Sequence, residues 1–343
     1  MSLAINNNRR RRPDGGPVID IHCHLGVPEA GDWFASQATP RGGCPTLSDT
    51  VSAEMMRAVA PRLDGLDVRL QDMDRLGIDI QVLSPSPGQY YYDASFEVAR
   101  SAARTINDKI AVAVGSYPDR FAGMGTLPMQ NAEGAVAELR RCQRDLGLRG
   151  IEIGTNIAGR DLHLADFEPV FAAAEELNML VFLHPMGFTE ASRLSDHHLN
   201  NLIGNPLDTS IALSHLIFGG VLDRHPGLKL CAAHGGGYLA AYSARMDHGY
   251  QARRDCREGI RLPPSEYLKR CHFDTLVYSS AQLEALIKRW GADHLCLGSD
   301  YPFDMEETDP VGFHRGLDDA TLNLILGGNA EHLLGLASER SHQ

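Results

Sequence analysis

Eight short apolar runs, each followed by a stretch of different periodicity, constrain this chain more than any other feature. They are Val18–Ile21, Ile78–Leu83, Phe121–Leu127, Gly150–Ile153, Leu180–Leu183, Leu228–Ala233, Cys271–Val277 and His294–Leu297. Their density of Val, Ile and Leu suits strands buried on both faces. Helical stretches lie between them, at Ser95–Val114, Ala132–Leu146, Phe167–Leu177 and Ala281–Trp290, with a final pair near Ala320–Leu326 and Ala330–Leu336. In Ala132–Leu146 the residues Ala135, Leu139, Cys142 and Leu146 fall at 3- and 4-residue spacings on one helix face, and Gly147 follows as a stop. Eight strands alternating with helices predict an α/β fold, a (β/α)8 TIM barrel. The competing doubly wound sheet lacks a GxGxxG turn after its first strand.

The 343 residues suffice for one barrel with insertions. We expect a tail at 1–16 and a single barrel domain at 17–343. The stretch Gly26–Pro61 reads as a largely irregular insertion after the first strand, anchored by Trp33 and Phe34. A second long connection, Met186–Pro206, follows the fifth. Both leave the C-terminal ends of strands, where barrel enzymes carry their active-site loops. The basic run Arg9–Arg12 reads as part of a solvated, disordered tail.

Asp and Glu outnumber Lys and Arg by 44 to 32, a poor balance for binding nucleic acid. No apolar run reaches the roughly 18 residues of a membrane span. Seven Cys without CxxC spacing argue against a disulfide framework or a structural zinc site, and no secretory signal is present, so a cytoplasmic location is expected.

The chemistry concentrates at strand ends. In Asp20-Ile21-His22-Cys23-His24 the alternation of a strand puts His22 and His24 on one face, roughly 7 Å apart along the chain and able to share a metal ion. The fifth run ends in His184-Pro185, the sixth in His234-Gly-Gly-Gly237 and the eighth in Asp300-Tyr-Pro302. An apolar strand that ends in His or Asp and then breaks at Gly or Pro thus recurs four times. Imidazole and carboxylate ligands suit Zn(II), with Mn(II) or Fe(II) possible. The glycines after His234 let backbone pass close to the site. His197 and His198 read as solvated, and the isolated His163, His215, His225, His248 and His272 as structural histidines.

These motifs resemble the amidohydrolase superfamily, and within it the branch of metal-dependent decarboxylases that includes the 2-amino-3-carboxymuconate-6-semialdehyde decarboxylases. The matching stretches are IDIHCH (19–24), SYPDRFAGMGTLPMQ (116–130), FEPVFAAAEEL (167–177), FLHP (182–185), HGGG (234–237), RMDHG (245–249) and LGSDYPF (297–303). The resemblance implies that His22, His24, His184 and Asp300 ligate one divalent metal, usually zinc, beside an open position for water. It implies that His234 is the general acid/base, and that Asp300 takes the proton-transfer role in the aromatic decarboxylases. Arg245 would reach a substrate carboxylate in the neighbouring subunit, which implies a homodimer. A second arginine for a substrate carboxylate falls in the insertion, where Arg57 and Arg62 compete, with Arg62 the expected contact. Met186 stands where the decarboxylases carry Trp, and it and Phe303 are the expected pocket walls.

The function expected is non-oxidative decarboxylation of a small carboxylate from aromatic catabolism. Hydrolysis or hydration at the same site, as in C–C bond hydrolases and lactonases, is the alternative.

Overall fold

The computed structural model describes residues 11–37 and 52–336. Its core is one sheet of eight parallel strands: β1 (Ile19–Leu25), β2 (Ile80–Pro85), β3 (Phe121–Gly125), β4 (Gly150–Gly154), β5 (Leu180–His184), β6 (Lys229–Ala232), β7 (His272–Asp274) and β8 (Leu295–Cys296). Each falls within or against one of the eight apolar runs, and the strands pair in chain order, as in a (β/α)8 barrel. The chain beyond β8 closes the ring against β1. Ile21 N donates to Leu297 O at 2.9 Å, Asp300 N to His22 O at 2.8 Å and His24 N to Tyr301 O at 2.8 Å.

The principal helices are α1 (Asp32–Gln37), α2 (Ala53–Leu63), α3 (Leu66–Leu76), α4 (Phe96–Ser116), α5 (Ala132–Arg144), α6 (Glu168–Glu176), α7 (Asn205–Phe218), α8 (Leu239–Ala252), α9 (Ser280–Trp290) and α10 (Asn329–Leu334). The two faces of each strand serve different cores. Val181, Leu183, Leu230 and Ala232 pack with helix residues such as Leu139, Cys142 and Val170. Their alternates Leu180, Phe182, Cys231 and Ala233 pack with Ile80, Val82, Met124 and Cys296 of other strands. His184 continues the Leu180–Phe182 face, so strand alternation alone aims it along the barrel interior.

The insertion is more ordered than its composition suggests. Ser52 caps α2 by accepting from Met55 N at 3.1 Å, and Pro61 sits in the last turn, where its missing N–H costs one helix hydrogen bond. Residues 38–51 of the insertion lie outside the described residues. Arg12 corrects the solvated-tail expectation: it is buried, and its guanidinium pairs with Asp14 and with Glu331 of α10, each at 2.6 Å. Arg9 and Arg10 lie outside the described residues. No helix of the described residues is long and apolar enough to cross a membrane.

One buried cation ties the insertion to the barrel. Arg69 of α3 is fully buried, donates to Gln81 Oε1 at 3.0 Å and to the carbonyls of His24 and Leu63, and lies 4.7 Å from the centre of the Tyr301 ring. Gln81 in turn donates to Asp20, which accepts from Ser299 Oγ at 2.6 Å across the β1–β8 seam. Removing the guanidinium leaves several buried acceptors without a donor. Arg69→Met should therefore lower stability by about 2–4 kcal/mol, seen as a lower urea midpoint at unchanged slope.

Candidate active site at the C-terminal end of the barrel

The strand ends bring His22, His24, His184 and Asp300 together. Each offers a ligand atom within 4.8 Å of the others, and all four residues are buried. His22 Nε2 and His24 Nε2 lie 3.4 and 3.2 Å from Asp300 Oδ1. The tautomers follow from the far side of each ring. His22 Nδ1–H donates to Asp274 Oδ2 at 2.6 Å, and His24 Nδ1–H donates to the Pro85 carbonyl at 3.0 Å. In the neutral rings both Nε2 atoms therefore carry lone pairs.

Those two Nε2 atoms, and both ring nitrogens of His184, are buried without a hydrogen-bond partner among the described residues. Orphaned buried nitrogens converging beside a carboxylate are what a divalent cation would satisfy, so the donor set fits such an ion. Electrostatics agree. Burial works against a proton on His22, but the charges of Asp300 and Asp274 hold its pKa well above the usual imidazole value. Burial drives His184 well below that value, and His24 and His22 push the same way. Burial alone would raise Asp300, yet the three neighbouring histidines hold it well below the carboxylate range. His22, His24, His184 and Asp300 would hold a divalent cation through donors that must be free of protons, so binding there would be favoured at higher pH.

His234 stands beside the cluster rather than in it. Its Nε2 lies 3.7 Å from Asp300 Oδ2, and its ring centre is 5.2 Å from that of His184. The HGGG turn makes this placement possible. His234, Gly235, Gly236 and Gly237 all have positive φ, and a Cβ at 236 would sit 2.5 Å from the Phe273 ring. Asp300 also holds a left-handed conformation, with φ of 60°.

Two cavities flank the cluster. The larger, of about 500 Å³, is walled by the segments after β1, β2, β4 and β5, including Met186, Ser86, Tyr90 and Asn156. The smaller, of about 390 Å³, contains His234 and Asp300 themselves, with Tyr238, Val277 and Tyr278. The chemistry therefore opens onto the smaller space. Phe303 lies over His24, with ring centres 5.5 Å apart. Arg62 lines neither cavity: it pairs with Asp72 at 3.0 Å and Glu306 at 2.8 Å. Arg57 is exposed on the helix that contributes Met56 and Ala60 to the larger cavity, and Arg245 is exposed on α8.

The family model described as Amidohydrolase matches residues 19–336. The chain belongs to this family. Among amidohydrolase relatives, 2-amino-3-carboxymuconate-6-semialdehyde decarboxylase of Dictyostelium discoideum is 40% identical over 331 residues, covering 93% of this chain and 91% of that protein. The structure of 5-carboxyvanillate decarboxylase from Sphingomonas paucimobilis superposes with a TM-score of 0.85 at 26% identity, covering 93% of this chain and 99% of that one. The 5-carboxyvanillate decarboxylase of Novosphingobium aromaticivorans, complexed with manganese and 4-hydroxy-3-methoxy-5-nitrobenzoic acid, superposes with a TM-score of 0.86 at 25% identity over 95% of this chain and 99% of that one. A divalent metal in this amidohydrolase is supported by that manganese complex and by the His/Asp cluster.

Sequence reasoning missed Asp274. Besides His22 Nδ1, this fully buried carboxylate accepts the amides of His234 at 2.9 Å and Gly235 at 2.8 Å. It thereby fixes a cluster imidazole and the strained turn that presents His234. The signal was partly hidden: Asp274 lies inside the seventh apolar run, Cys271–Val277, and only the structure shows that the strand itself ends there, at His272–Asp274. Burial works to raise its pKa, but the hydrogen bond and charge of His22 outweigh that and hold it low. Asp274→Asn keeps the shape and removes the charge. Metal affinity should fall by about 10- to 100-fold, measured by competition with a chromogenic chelator.

Proposed function

We propose that this amidohydrolase is a metal-dependent, non-oxidative decarboxylase acting on a small carboxylated intermediate of aromatic catabolism. The observation that carries the reading is the placement of His234: against Asp300 and open to a cavity, yet outside the four-residue cluster. The 40%-identical decarboxylase supports the reaction class. In this reading His22, His24, His184 and Asp300 hold one divalent ion. Three imidazoles and a carboxylate suit Zn(II), and Mn(II), present in the Novosphingobium complex, is compatible with the same donors. Such an ion, when bound, supplies Lewis acidity toward an oxygen of water or substrate.

The chain's own residues do the rest. Decarboxylation leaves an electron pair on the substrate carbon, which must receive a proton as CO2 departs. His234 is placed to hold that proton at Nε2 and transfer it, with Asp300 3.7 Å away to stabilise the protonated ring. Asp274 keeps the ring's turn in place through its amide contacts. Phe303 over His24 and Met186 in the cavity wall limit access of bulk water.

For the substrate carboxylate in the insertion, the geometry favours Arg57 over the expected Arg62. Arg62 is committed to Glu306 and Asp72, whereas Arg57 has no ion pair among the described residues. We further infer a homodimer in which Arg245 serves the partner's site. Its support is an exposed apolar rim of Leu202, Ile203, Tyr238 and Tyr242 beside the smaller cavity, with Arg245 exposed on α8, the helix that Tyr238 precedes and that carries Tyr242.

Metal-analysed protein should release CO2 from a panel containing 2-amino-3-carboxymuconate semialdehyde, dihydroxybenzoates and 5-carboxyvanillate. His234→Ala should keep its metal and lose about 10²- to 10⁴-fold in turnover. Substrate consumption without CO2 would instead indicate hydrolysis or hydration. Arg57→Ala should raise KM by at least about tenfold through loss of a charge-assisted contact, while Arg62→Ala acts mainly on thermal stability. Equal KM effects in the two variants would refute that assignment. Mixing inactive His234→Ala and Arg245→Ala proteins should restore part of the activity through hybrid dimers. No recovery after verified subunit exchange would argue against a shared site.

A further inference from the structure

The sequence treats His163 and His215 as unrelated structural residues, 52 positions apart in the chain. The fold brings them face to face. Their rings stack with centres 4.6 Å apart and planes within 10°, and His215 Nε2 lies 3.3 Å from Asp161 Oδ2. Ligand atoms of Asp161, His163 and His215 all fall within 4.8 Å of one another. The Nδ1 atom of His163 is buried and has no hydrogen-bond partner among the described residues.

Several contacts fix this arrangement. After β4 the chain forms a two-stranded antiparallel ribbon, Asn156–Ile157 with Arg160–Asp161, which turns at Ala158 and Gly159, both at positive φ. Asp208 of α7 anchors its start by accepting from Thr155 Oγ1 and from Asn156 Nδ2. A turn closed by Leu164 N donating to Asp161 O at 3.2 Å brings His163 back beside Asp161. At the other end of α7 the chain must be glycine, since a Cβ at 219 would lie 2.4 Å from His163 Cβ. Burial and the neighbouring His215 push the His163 pKa below the usual imidazole value.

We propose that Asp161, His163 and His215 form a second binding site, for a divalent transition-metal ion of the Zn(II) or Cu(II) class, on the flank of the barrel. Two imidazoles and one carboxylate match such ions and leave positions for water. The side chains of Asp161 and His215 are each 39% exposed, so an ion can enter without unfolding. Bound there, it cross-links the ribbon after β4 to α7. The ribbon begins at Asn156, which walls the larger cavity together with the preceding Thr155, so the cross-link braces one side of that space.

The test uses full-length protein already loaded at the His22 cluster. Dialysis against Zn(II) at low micromolar concentration, followed by elemental analysis, should give close to two metal ions per chain. His163→Ala and His215→Ala should each give one. Asp161→Asn, a change at a partly exposed position, should weaken the second equivalent by about tenfold or more through loss of one of three donors. Added Zn(II) should raise the melting temperature of the loaded protein and leave that of His215→Ala unchanged. Cu(II) added to the zinc-loaded protein should show an electron paramagnetic resonance spectrum with coupling to two nitrogens. One metal ion per chain in the parent protein, or a second ion that persists in the double variant His163→Ala/His215→Ala, would overturn the proposal.

Discussion

Gathering four imidazoles and two carboxylates at one end of a barrel is costly unless each charge and lone pair finds a partner, because burial removes the water that would otherwise solvate them. Much of this architecture answers that demand. Asp274 pairs with His22 and with the amides that carry His234, and Pro85 fixes the His24 tautomer. Among the polar atoms left over, the orphaned nitrogens of His22, His24 and His184 converge beside the Asp300 carboxylate. The unsatisfied remainder is thus the functional element, and the satisfied contacts around it set its shape.

The same demand explains where the barrel closes. The seam between β1 and the chain after β8 joins His22 to Asp300 and His24 to Tyr301, so the hydrogen bonds that complete the ring also align the cluster. Asp20, Gln81 and Arg69 extend this polar chain from the seam to the insertion, ending under the Tyr301 ring. Loss of any member would disturb closure and cluster together, since a partly satisfied buried network is worse than none.

The barrel was legible because its strands are buried on both faces and therefore read as continuous apolar runs. The cluster was legible because barrel enzymes place reactive side chains where strands end, and His22, His24, His184 and Asp300 all follow that rule. Asp274 obeys the rule equally, but its hydrogen bonds to His22 and to the His234 turn join residues that are remote in sequence, so its partners could not be named. The helix Ala53–Leu63 was obscured by Pro61, which usually breaks helices yet is tolerated in a last turn. Arg12 looked like part of a charged tail because nothing local signals that Glu331 lies beside it.

The sequence by itself determined the strand count, the alternation that points His22, His24 and His184 along the barrel, and the residue types able to hold a divalent ion. These are local properties, set by the two-residue repeat of a strand and by the chemistry of each side chain. Only the tertiary structure decided which charges are spent and which are free. It bound Arg62 to Glu306 and Asp72, left Arg57 exposed, set His234 outside the four-residue cluster, and stacked His163 on His215. Those outcomes depend on distances between segments tens to hundreds of residues apart, which the closing of the barrel fixes and no local pattern records.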